Sequence, residues 1–182
     1  MILAFDTATS YGAVCGVSTG GRARAERAGD LLAAVDELVG DPAELEGIVV
    51  GRGPGSFTSI RIGLAVARSL SLALGVPVAG ASTLDAYADA TPVIDARRGE
   101  VFAPGPLVCR PEELDVAGLT LVGDGAVRYR DVFEARGATI PPDGDPVHTP
   151  DPLLLIERAG GFGPAEIVEP LYVREPDAKP SV

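Results

Sequence analysis

The sequence predicts an α/β fold in which helices cover a sheet, and three observations carry that expectation. Short β-branched runs alternate with segments of helical period, a pattern that calls for layered sheet and helices. One unit states it clearly: Ile48-Val49-Val50 reads as a buried strand, a loop carries glycines at 51, 53 and 55, and a long apolar helix follows. Apolar residues make up 46% of the 182, enough for a substantial core in one domain or two small ones.

In chain order, Met1 to Phe5 reads as a buried strand and Asp6 to Gly12 as a turn. Ala13 to Ser18 is a second strand, Gly20-Gly21 a turn, and Arg22 to Arg27 a third, alternating strand. Leu31, Leu32, Val35, Leu38 and Val39 fall on one face of a helix that starts near Gly29-Asp30 and ends at Gly40. In the central unit, Ser56, Thr58 or Ser59 supplies the helix cap, and the helix runs from Ile60 to Leu74. Gly75, with Pro77 beyond, is the stop signal. Val76 to Ala79 is a short strand, and Ser82 or Thr83 caps a helix through Ala90.

The glycine loop admits two readings. Glycines ahead of a helix N-terminus can cradle an anion, or they can simply make a tight turn. The phosphate-binding Gly-Lys-Ser/Thr ending is missing, and Gly51, Gly53 and Gly55 do not fit G-x-G-x-x-G. On the helix, Ser59, Gly63, Ala67, Ser71 and Gly75 recur every four residues, a stripe of small side chains. Such a stripe lets another element approach closely, either this chain's own sheet and helices or a partner chain.

These residues resemble a family. GPGSFTSIRIG, with Gly53, Pro54, Gly55, Ser56, Phe57, Thr58 and Arg61, is similar to the GPGSFTGLRIG signature of the TsaB (YeaZ) family. ILAFDTATS, IDARRGEVF, GDGA and PLYVREPDA match further family blocks in the same order. The resemblance implies an actin/Hsp70-like ATPase (ribonuclease H-like) fold, a mixed sheet flanked by helices, with a second, trimmed α/β subdomain. It implies the dimerisation subunit of the machinery that installs threonylcarbamoyl on a tRNA adenosine next to the anticodon. Its implied partners are a homologous catalytic actin-fold subunit of the TsaD type and a small ATPase of the TsaE type. ATP or ADP and metal are expected on those subunits, with tRNA reached through the complex and a homodimer open to the isolated chain.

The first subdomain is expected over 1–91 and the second over 92–182. In the actin-like ATPases that the first strands resemble, a carboxylate and hydroxyls after strand one embrace phosphate and magnesium. Asp6, Thr7, Thr9 and Ser10 occupy that place as a vestigial nucleotide loop, but position 8 is Ala where close approach favours Gly. The plainer reading has Asp6 and Thr7 capping the hairpin through local bonds. Asp95, Arg97, Arg98 and Glu100 sit on a charged turn between two strands, either paired locally or facing a phosphate or partner. After Phe102 the chain turns at once through Ala103-Pro104-Gly105-Pro106, which reads as trimming. Leu119 to Val122 is a strand, Tyr129 to Ala135 a helix, 141 to 152 a proline-rich loop around His148, and Pro152 to Ala159 a short helix. Asp177 to Val182 is expected to fray.

Composition narrows the function. Fifteen basic against 26 acidic residues give −11, a field that repels nucleic acid. Cys15 and Cys109 have no metal-ligand spacing and read as reduced thiols of a cytoplasmic protein. No signal peptide is evident, and no apolar run of about 18 residues is expected to span a membrane. The lack of a nucleophile–base set or metal cluster agrees with the role the resemblance implies, a non-catalytic scaffold. The rival is an actin-fold phosphotransferase using Asp6 and the Asp124 loop for magnesium-nucleotide. The expected partner face is the pair of helices at 30–39 and 60–74, through Leu31, Leu32, Val35, Ser59, Gly63, Ala67 and Ser71.

Overall fold

The structure is a computed structural model, and it describes residues 1–174. Five strands form the main sheet: β1 (Ile2–Asp6), β2 (Ala13–Val17), β3 (Arg22–Ala25), β4 (Gly47–Gly51) and β5 (Val78–Ala81). Their spatial order is β3-β2-β1-β4-β5. The first three strands pair antiparallel as consecutive hairpins, while β4 and β5 join parallel to β1. Side chains of period two divide the sheet into two faces. Leu3, Phe5, Cys15, Ile48 and Val50 point to one core, and Ala4, Val49 and Ala79 to another.

The first face is covered by α1 (Leu31–Leu38) and α2 (Phe57–Leu74). Ser56 caps α2 by accepting from the Ser59 N–H at 3.4 Å, and Gly75 ends it in the left-handed conformation. The opposite face is covered by α5, introduced below, and by a hairpin from the second lobe.

That second lobe begins with β6 (Thr91–Pro92), β7 (Ile94–Arg97), β8 (Glu100–Ala103) and β9 (Leu107–Cys109). β10 (Leu121–Val122), α3 (Asp124–Arg128) and α4 (Arg130–Glu134) follow. β7, β8 and β9 make an antiparallel sheet, and β10 pairs with β6. Its own core gathers Val93, Val101, Val116, Leu121, Ala126 and Phe133. The chain then returns: α5 (Pro152–Arg158) packs on β1 and β2 and puts Leu155 beside Ala4 and Val49. Within the expected second half, α5 thus packs on the sheet of the first lobe.

Several expectations change. The helix anticipated through Ala90 is a single 3-10 turn, Thr83–Ala86, although Ser82 does cap it. The backbone turns extended at Tyr87, whose ring enters the core, and Asp89 takes a positive φ of 47°. The strand anticipated at 76–79 lies at β5, two residues later. The 103–106 turn leads into one further short strand, β9. By length and a mean hydropathy of 1.3, α2 matches a membrane span, contrary to the sequence expectation. Here its inner face lies on the sheet, and Arg61 and Arg68 bond to Tyr172 and to the Val168 carbonyl. The expected fraying of Asp177 to Val182 falls outside the described residues.

The partner-face residues need the largest correction. Leu31 is 0% and Ala67 1% exposed; Val35 and Gly63 are also buried within this single chain. A Cβ on Gly63 would lie 2.7 Å from Thr7 Oγ1, so the small stripe exists to bring α2 close to the sheet and its first loop. Ser59 gives its carbonyl to Thr7, and Ser71 donates to the Val76 carbonyl. Among the expected face residues Leu32 is exposed, at 55%, and on α2 Leu72 reaches 88%. Enlarging Ala67 to Leu should therefore overpack the helix–sheet core and destabilise the monomer by about 1–3 kcal/mol. Thermal unfolding followed by circular dichroism checks this, with Leu72→Asn as a control that leaves the midpoint within about 0.5 kcal/mol.

Candidate functional site

The C-terminal ends of β1, β4 and β5 meet at one buried network. Asp6 is 1% exposed, and its two oxygens are both engaged. Oδ1 accepts the Ala8 N–H at 2.7 Å, a local turn bond, and Oδ2 accepts the Thr83 hydroxyl at 2.5 Å. Thr83 Oγ1 in turn accepts the Gly53 N–H at 3.2 Å, and the Thr83 N–H donates to the Gly53 carbonyl. Thr7 donates to the Ser59 carbonyl at 2.7 Å, and Thr9 is buried as well. Burial pushes Asp6 above its ordinary 3.8 against the pull of the Thr83 and Ala8 bonds, with the Asp124 charge adding a smaller push upward.

The loop after β1 is packed against the glycine loop. The Ser56 N–H donates to the Ala8 carbonyl at 2.8 Å. A Cβ on Gly55 would stand 2.3 Å from that same oxygen, so only glycine permits the approach. Asp6 and Thr7 are thus bonded within the fold, and Thr9 is buried. Ser10 is the exposed member of the set, and its N–H donates to Asp124.

A cleft of about 500 Å³ lies between the lobes. The first lobe lines it with Ala8, Ser10 and the loop Gly55 to Thr58. The second contributes Asp95 to Arg98, Phe102 and Asp124, and residues 171–174 complete it. Asp124, at the start of α3, joins the two sides: it accepts the Ser10 N–H at 2.8 Å and the Asp95 N–H at 3.0 Å. Asp95 itself is buried beside Arg97 (3.2 Å) and Arg128 (3.7 Å), so this carboxylate is paired within the second lobe. Arg97 and Arg98 both hold left-handed backbone, with φ of 61° and 56°, at an irregularity in the hairpin. Glu100 pairs with Arg174.

The sequence reading missed Thr83, Tyr87 and Arg174. The Tyr87 hydroxyl, in a residue 4% exposed, has no hydrogen-bond partner among the described residues. Burial raises it well above 10, and the Asp124 and Asp6 charges push the same way. His148, the only histidine, is wholly buried. Its Nδ1 accepts the Gly123 N–H at the start of α3 and its Nε2 faces the Pro141 carbonyl, so the ring ties the turn into α3 to the segment after α4. Among the described residues no group of three or more His, Cys, Asp or Glu is placed to hold a metal.

The sheet order, the two flanking layers and the interlobe cleft define a protein of the actin-like ATPase class. Residues 22–118 match the TsaD family model, tRNA N6-adenosine threonylcarbamoyltransferase. An uncharacterised protein of Mycobacterium tuberculosis is 35% identical over 179 residues, spanning 90% of this chain and 81% of that one. The tRNA threonylcarbamoyladenosine biosynthesis protein TsaB of Bacillus subtilis is 38% identical over 81 residues, 38% of this chain and 35% of its own. YeaZ from Pseudomonas aeruginosa superposes with a TM-score of 0.73 at 25% identity, covering 94% of this chain and 98% of that one. The chain belongs to the TsaB (YeaZ) family.

The Asp6 network gives a prediction with a definite sign. A carboxyl whose folded pKa is raised takes up a proton in the folded state first. Its contribution to stability is therefore full below 3.8 and is lost as pH rises through the raised folded value. Asp6→Asn should remove this dependence, so wild type loses ground against the variant as pH rises from 3.8 through the raised folded value. Asp6→Ala leaves the Ala8 N–H and the Thr83 hydroxyl unpaired and should cost about 1–3 kcal/mol. Urea unfolding of all three proteins across that range checks both statements.

Proposed function

We propose that this chain is a non-catalytic scaffold subunit of the complex that installs threonylcarbamoyl on the tRNA adenosine next to the anticodon. The observation that carries this reading is the closed loop after β1. Asp6 has both oxygens engaged inside the fold, and Ala8 is packed on Gly55, where a phosphate and its metal would need room. Magnesium wants several oxygen ligands in near-octahedral array, and a carboxylate held in this way is a poor donor to it. On this reading the chain holds no cofactor, and ATP or ADP and metal belong to the partner subunits.

The partners are a homologous TsaD-type catalytic subunit and a TsaE-type ATPase, with tRNA contacted through the complex in the cytoplasm. The net charge of −11 favours that division, since an acidic surface leaves phosphate contact to others. The rival, an actin-fold phosphotransferase, would need Asp6 to leave its network. A protein of Pseudomonas aeruginosa with the same fold is described as similar to the peptidase YeaZ. A hydrolytic reading finds no support in His148, whose two ring nitrogens are both spent on backbone groups.

The partner face is the outer side of α1 and α2, where Leu32 and Leu72 are exposed. The isolated chain can use the same face to form a homodimer, since isologous pairing suits a self-complementary patch. Replacing Leu32 and Leu72 together by Asp should abolish co-elution with the catalytic subunit and lower threonylcarbamoyl transfer in the reconstituted mixture. The melting temperature should stay near that of wild type. Size-exclusion chromatography with a transfer assay on tRNA measures this, and unchanged co-elution would place the interface elsewhere.

A further inference from the structure

We infer that residues 171–174 form a strap that holds the interlobe cleft shut, anchored on the first lobe and latched on the second by Arg174. The anchor is built from three contacts. The Leu171 N–H donates to the Arg52 carbonyl at 2.7 Å, next to the glycine loop. The Tyr172 ring stacks on Phe57 with centroids 5.0 Å apart, and its hydroxyl accepts from Arg61 Nε at 2.9 Å. The Arg61 guanidinium lies 3.8 Å over the Phe57 ring, so one cation holds both aromatics. Upstream, Gly163 bridges to Val78 and the Val168 carbonyl accepts from Arg68, which fixes the approach of the segment.

The latch lies across the cleft. One Arg174 nitrogen donates to the Ala96 carbonyl at 3.1 Å and the other pairs with Glu100. Both partners belong to the β7–β8 hairpin, and the N–H of the neighbouring Asp95 is held by Asp124. The hairpin is thus gripped at adjacent residues, by Asp124 together with Ser10 and by Arg174 on the strap. Leu171, Tyr172, Val173 and Arg174 all line the cleft, so an occupant entering past them has to release the latch. Anchor and latch differ in kind. The anchor combines stacking, a backbone bond and packing within one lobe, whereas the latch is one side chain reaching a different lobe. Loss of Arg174 should therefore free the hairpin and leave the first sheet as it was.

The test is hydrogen–deuterium exchange resolved by peptide fragment on the full chain. Arg174→Ala should speed exchange across residues 94–103 about tenfold, the scale set by removing charge-assisted bonds. Exchange across 2–6 and 47–51 should not change. Arg174→Lys keeps the pairing with Glu100 and should restore part of the protection. Unchanged exchange at 94–103 in Arg174→Ala would overturn the proposal, and so would an equal acceleration in both lobes. Should that variant fail to fold, Glu100→Gln decides: the carbonyl bond remains, the same fragment should accelerate by a smaller factor, and no acceleration rejects the strap.

Discussion

The buried carboxylate of Asp6 fixes the geometry on which the rest of the fold depends. Through Ala8 it shapes the turn after β1, and through Thr83 it reaches the segment after β5. Thr83 then holds Gly53 by two hydrogen bonds, and so the ends of three neighbouring strands are tied by one carboxylate and one hydroxyl. Such a group lies buried at a cost, which shows as its raised pKa; the hydrogen bonds on both oxygens offset that cost. The same arrangement withdraws Asp6 from the cleft.

The two lobes meet through an apolar layer and a few polar contacts beside it. The second-lobe hairpin lays Ile94 and Phe102 on the far face of the main sheet, giving a shared apolar core with Ala4, Val49 and Leu155. Over that core, Asp124 and Arg174 grip the hairpin at neighbouring residues. Polar contacts of this kind set orientation, while the apolar layer beneath supplies most of the binding energy. The first lobe carries α1 and α2 on its sheet, and the second is held to it by the shared apolar layer and oriented by these polar contacts.

Much of the first lobe was legible because its signals are local. Gly75 marked the end of α2 and Ser56 was one of three candidate caps for its start, which falls at Phe57 and not Ile60, while short apolar runs marked β1, β2 and β4. The small stripe was legible as a close approach, but its direction was not: four-residue spacing is the same whether the neighbour is a sheet or a partner helix. Burial of Ala67 and Gly63 settled that direction. The helix expected at 82–90 failed because a true cap at Ser82 is followed by residues whose side chains the tertiary core draws inward, Leu84 and Tyr87 among them. The site was less legible still. Asp124 meets Ser10 from 114 residues away and Arg174 meets Ala96 from 78, and such separations leave no trace in any window of sequence.

On the proposed reading this subunit does not itself hold nucleotide. Isothermal titration of the isolated chain with magnesium-ATP tests it most directly, with Asp6→Asn as the matched comparison. The account predicts no saturable heat from either protein. Saturable binding by wild type that disappears in Asp6→Asn would contradict it, since Asp6 would then have to leave its network to face a ligand.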